Sequence, residues 1–96
     1  MEKKYVKRYL RKGAKTLIER GLYRGYFESP SGRVCALGAI AASIGKNMPS
    51  RYTMAVDVIR AVDDQDEPVD IVFFNDKIAK NKYEVASLLM GLAEEV

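Results

Sequence analysis

The chain has 96 residues, 48% of them hydrophobic and 30% charged, which is enough apolar surface for one core and too little length for two. It holds no histidine and a single cysteine, Cys35, so an internal disulfide, a Cys-His nucleophile pair and a tetrahedral zinc site cannot be built within it. The net charge of +3 is unevenly spread. Residues 1–24 carry nine Lys or Arg against Glu2 and Glu19, whereas the rest carries seven basic and eleven acidic side chains. No apolar run reaches transmembrane length, and Lys3, Lys4, Lys7, Arg8, Arg11 and Lys12 interrupt any signal-peptide core. The expectation is a cytoplasmic, non-membrane, single-domain protein spanning residues 1–96.

Residues 2–20 place Val6, Tyr9, Leu10, Ala14, Leu17 and Ile18 at helical spacing with basic residues on the other faces, which predicts a first helix ending at Gly21. Between Tyr23 and Val34 the period changes. Tyr26 and Phe27 precede the turn formers Glu28-Ser-Pro-Ser-Gly32, so a short β-hairpin is predicted there, leaning on the helices through its aromatics. From Cys35 to Ile44 a second helix carries a bulky stripe (Leu37, Ile40, Ala41, Ile44) and a small-residue side (Cys35, Gly38, Ala39, Ala42), and it is closed by Gly45. With no charge between Arg33 and Lys46, this helix is expected to be central.

Asn47-Met-Pro-Ser50 has helix-start chemistry, and Tyr52, Ala55, Val56, Ile59 and Val62 continue it as a third helix. An acidic loop, Asp63 to Pro68, follows. Val69 to Phe74 is β-branched and aromatic and reads as an extended segment. The last helix starts at Asn81, with Glu84 at the capping-box position, and buries Val85, Leu88, Leu89, Leu92 and Val96. The predicted fold is therefore mainly α, with four helices, one hairpin between the first two and an extended segment before the last.

The chemistry read from these residues is sparse. Asp63, Asp64, Asp66, Glu67 and Asp70 lack the glycine and glutamate spacing of an EF-hand and read as a solvated loop. The glycines form neither a dinucleotide nor a P-loop pattern. No metal and no cofactor are expected, and no catalytic residue is assigned. Cys35 falls at a helix start beside Arg33, a placement that lowers a thiol pKa, yet with no imidazole available packing is the simpler role. The strongest surface signal is the basic helix: Lys4, Lys7, Arg8, Arg11, Lys12 and Lys15 suit contact with phosphates or an acidic partner, with Tyr5 and Tyr9 available for stacking.

Gly25, Gly32, Cys35-Ala36-Leu37-Gly38-Ala39, Phe74-Asn75-Asp76 and Glu84-Val85 together resemble an uncharacterised small-domain family of actinobacteria and their phages, over about residues 10 to 93. Members often carry a tryptophan before the first glycine, where this chain has Leu22 and Tyr23. The resemblance implies an architecture and a phage origin but no activity. These residues fit structural roles, with Gly32 in the hairpin turn, Cys35 to Ala39 as a close-packed helix start and Asn75-Asp76 bonding backbone where the extended segment stops; the functional reading of the same set is a shared surface pocket near Cys35, Asn75 and Asp76. The functional expectation is a small non-enzymatic protein that binds a host or phage macromolecule, a protein in the first place and nucleic acid as the alternative.

Overall fold

A computed structural model of the chain describes residues 2–45, 47–63 and 70–96. Five α-helices are present among them: α1 (Lys3–Arg20), α2 (Ala36–Ile44), α3 (Arg51–Asp63), a single turn α4 (Ile71–Phe73) and α5 (Lys82–Glu95). A π-helical turn, Phe74–Ile78, continues α4. The prediction of four helices falls short by α4, and the two β features predicted beside the helices are absent from the described residues.

The expected hairpin is replaced by two isolated backbone bridges that share Val34, one parallel to Leu22 and one antiparallel to Glu28. A turn does form. Ser29 N–H donates to Arg33 O at 2.8 Å, Gly32 N–H donates to Ser29 O at 3.0 Å, and Gly32 adopts φ +92°. A ladder cannot grow from it, because the chain enters α2 two residues after Val34 and bends at Gly25 (φ +89°) two residues before Phe27. One bridge to each neighbour is all the available length allows.

The extended segment predicted at Val69–Phe74 is also corrected. Residues 64–69, which take in most of the acidic loop and Val69 of the segment, lie outside the described residues. Asp70 is an N-cap: its Oδ1 accepts from Phe73 N–H at 2.9 Å, which nucleates a helical turn over a sequence of high β-propensity. Capping won over propensity because only Ile71 of this turn is buried, so no strand-like alternation was needed.

The remaining helix boundaries follow local chemistry. Gly21 (φ +94°) and Gly45 close α1 and α2 with N–H bonds back to Leu17 O and Ala41 O. Asn81 Oδ1 accepts from the N–H groups of Tyr83 and Glu84, at 3.0 and 3.1 Å, and the Glu84 carboxylate reaches back to Lys80 N–H, one residue beyond the expected capping-box partner.

Helix α2 sits centrally and touches all four other helices. Its small residues are what permit this. Ala39, Ile40 and Ala41 are sealed in the core, and a Cβ on Gly13 of α1 would lie 2.9 Å from Ile40 Cγ1, so the glycine sets how closely α1 and α2 cross. Helix α1 also packs against α5, and it buries Val6, Leu10, Ala14 and Leu17 in the core. None of the described helices is long and apolar enough to cross a membrane.

Candidate functional site

At the head of α2 three pieces of chain converge. The loop Gly25–Phe27, the helix start Cys35–Leu37, and Val72, Asn75 and Asp76 from α4 and the π turn enclose an apolar pocket of about 130 Å³. Cys35 and the consecutive pair Asn75-Asp76, far apart in sequence, thus line one cavity.

Asn75 organises it. The side chain is 1% exposed; its Oδ1 accepts from Ala36 N–H at 2.9 Å, and its Nδ2 donates to Tyr23 O at 3.1 Å and to Asp76 Oδ1 at 2.9 Å. One amide thereby satisfies an orphan N–H of the α2 N-terminus and a carbonyl of the loop, two groups that burial would otherwise make costly. Asp76 Oδ1 also accepts from Gly25 N–H at 3.2 Å, so the same acidic oxygen tethers the loop a second time. The π turn places these consecutive polar residues together on the inner side, where a wide turn changes the register of the side chains.

Cys35 is the N-cap of α2, with Sγ accepting from Gly38 N–H at 3.3 Å, and it is half-buried. Burial pushes its thiol pKa up, the nearby Asp76 carboxylate adds to the rise, and the N–H groups of Gly38 and Leu37 pull the other way. The helix start does not activate this thiol. Near neutral pH Cys35 is protonated, so folded protein should alkylate with iodoacetamide about tenfold or more slowly than urea-denatured protein. Equal rates in the two states would contradict this placement.

The aromatics stand around the pocket rather than sealing it. Tyr26 is 75% and Phe27 46% exposed, and the Phe27 ring stacks on Tyr52 of α3 with centroids 4.7 Å apart. Sequence reasoning placed Tyr26 and Phe27 in strands and missed them as a rim. Val72, 52% exposed on the opposite wall, was equally missed, and the one available signal was the spacing of Asp70 as a cap ahead of Phe73.

The six basic candidates lie elsewhere, along α1. Lys4, Arg8, Arg11, Lys12 and Lys15 are exposed and Lys7 is partly so, and they form a stripe opposite the buried face. Lys4 pairs with Glu2 at 3.6 Å and Lys15 with Glu19 at 4.0 Å, both solvent-exposed contacts worth little. Lys7, Arg8, Arg11 and Lys12 have no ion-pair partner among the described residues. Whether the acidic loop faces this stripe falls on residues outside that set.

A family of unknown function, DUF6197, matches residues 1–95. The chain belongs to it. No curated protein and no solved structure matches the chain. Membership in DUF6197 thus supplies a family for nearly the whole length of the chain and no activity.

Proposed function

We propose that this DUF6197 member is a non-enzymatic binding protein that holds another protein at the head of α2. One observation carries the reading: an apolar pocket whose rim of Tyr26, Phe27 and Val72 remains exposed. Large apolar side chains grouped around a concavity have no folding reason to face water, and such patches mark contact sites. The protein works in the cytoplasm and is phage-encoded, acting on a host protein; that placement rests on the resemblance of Cys35–Ala39 and Asn75-Asp76 to an actinobacterial and actinophage family and on a single unpaired cysteine.

The test uses Val72→Glu, which alters an exposed position and is expected to melt close to wild type. Wild-type bait should retain a stoichiometric protein from host lysate that Val72→Glu releases. Equal retention by both baits, or none by either, counts against the pocket as the contact.

A second reading, nucleic-acid binding by α1, is favoured by the continuous exposed stripe of cations. It requires affinity for duplex or single strand that falls steeply with salt, and replacing Lys7, Arg8 and Arg11 by Glu should lower the log–log salt slope by about 0.9 per lost duplex phosphate contact. Unchanged DNA and RNA mobility at low salt would eliminate it.

A further inference from the structure

We infer that the pocket at the head of α2 takes a lysine side chain of the protein partner, its aliphatic stem against Leu37 and Val72 and its ammonium on Asp76. This rests on the protein-binding reading above and names the chemistry of that contact.

The first support is Asp76. Its Oδ1 is held by Gly25 N–H and Asn75 Nδ2–H, so the carboxylate is fixed on the pocket wall, and no Lys or Arg nitrogen among the described residues lies within ion-pairing distance of it. A fixed carboxylate beside apolar surface and without a counter-ion favours a cation.

The second support is the distribution of the protein's own cations over its aromatic rings. Lys4 and Arg8 lie over Tyr5, Arg33 over Tyr23, Arg51 over Tyr52 and Lys82 over Tyr83, at 4.8 to 5.8 Å from the ring centroids. Tyr9, Tyr26, Phe27, Phe73 and Phe74 have no cation of the described residues over them; of these Tyr26 and Phe27 stand at the pocket, and Phe27 also stacks on Tyr52. Ring faces of this kind attract ammonium groups.

The remaining wall decides the shape of the occupant. The pocket as a whole, Asp76 included, offers little polar surface, so the group that enters must be aliphatic and its charge can meet little more than one oxygen. A volume of about 130 Å³ is close to that of apolar cavities of roughly 150 Å³ that accept a benzene ring, and it suits a four-carbon stem. Lysine is preferred to arginine because Oδ1 already carries two donors and only Oδ2 has none among the described residues. A point-charge ammonium needs one oxygen, whereas a guanidinium fork needs two.

The test is an amide NMR titration of the full chain with the N-acetyl, N-methylamide derivatives of lysine, norleucine and arginine. The lysine derivative should shift the Gly25 and Ala36 resonances saturably, with affinity about tenfold above that of neutral norleucine and of arginine, a difference readily resolved. Asp76→Asn keeps the Oδ1 acceptor and should erase the lysine preference while leaving the norleucine shift in place. Norleucine binding as well as lysine overturns the lysine assignment and leaves the pocket reading standing. Arginine binding equally well overturns the single-oxygen argument. Shifts that follow protein concentration without any ligand assign the pocket to a second copy of the chain and overturn a foreign lysine. No shift with any derivative overturns both the lysine and the pocket.

Discussion

Replacing Gly38 with alanine should lower the melting temperature by roughly 10 to 20 °C, whereas the same replacement at Gly91 should raise it by a few degrees. Both glycines are inside helices and both gain the better helix former. They differ in what the new methyl group meets. A Cβ at Gly38 would lie 2.0 Å from Phe27 O and 2.8 Å from Phe27 C, atoms of the backbone that no rotamer change can remove, while a Cβ at Gly91 meets nothing within 4 Å. Phe27 O is also the acceptor for Cys35 N–H at 3.2 Å, so pushing it away breaks the bond that seats the loop on the helix. Overpacking of this kind costs about 1 to 3 kcal/mol and more where the obstacle is rigid, a large share of the stability of a domain this size. Thermal denaturation of the two variants beside wild type checks the claim, and a Gly38→Ala protein melting within two or three degrees of wild type, about the spread of an ordinary surface change, would refute the close approach.

The second large effect is expected at Asn75. Asn75→Ala should lose about 2 to 4 kcal/mol in urea denaturation, because it strands the Ala36 N–H and the Tyr23 carbonyl, each worth roughly 1 to 3 kcal/mol when left unsatisfied. Asn75→Asp should lose more. It retains the acceptor for Ala36 N–H but turns the Nδ2 donor into an oxygen facing Tyr23 O and the Asp76 carboxylate, a buried like-charge contact. The order wild type, Ala, Asp in falling stability is the discriminating result, since simple loss of packing would put the near-isosteric Asp variant above Ala. Faster alkylation of Cys35 in both variants would report that the loop has come away from α2.

The helical skeleton was readable because it is local. Apolar periodicity placed α1, α2, α3 and α5, and Gly21, Gly45 and Asn81 marked their limits through capping chemistry that depends on neighbours in sequence. The elements misread were those whose conformation is set by distant or competing groups. Val69–Phe74 carried strand propensity, but one carboxylate at Asp70 suffices to start a helix turn. Tyr23–Val34 carried hairpin signals, but the length left between Gly25 and α2 accommodates one bridge per neighbour. The pocket was legible only through the recurrence of Cys35, Asn75 and Asp76 together. Its rim was not, because exposure of Tyr26, Phe27 and Val72 is decided by tertiary packing that no local pattern encodes. Gly13 of α1 reads as a propensity defect and Gly38 of α2 as one of several small residues, and which segment presses on each, Ile40 and Phe27, is not written in the local pattern.

The packing of α1 against both α2 and α5 also bears on how this chain folds. α1 and α5 are separated by three other helices, so the contact that completes the core closes a loop over most of the chain. While α5 is still undocked, the part of α1 that α5 covers is expected to stay in contact with water. Helices added one after another to their predecessors would collapse quickly through neighbour contacts; the α1–α5 contact instead needs a long-range encounter, which is expected to slow folding. An agent that traps α5 before it docks would therefore abolish the protein without touching its pocket.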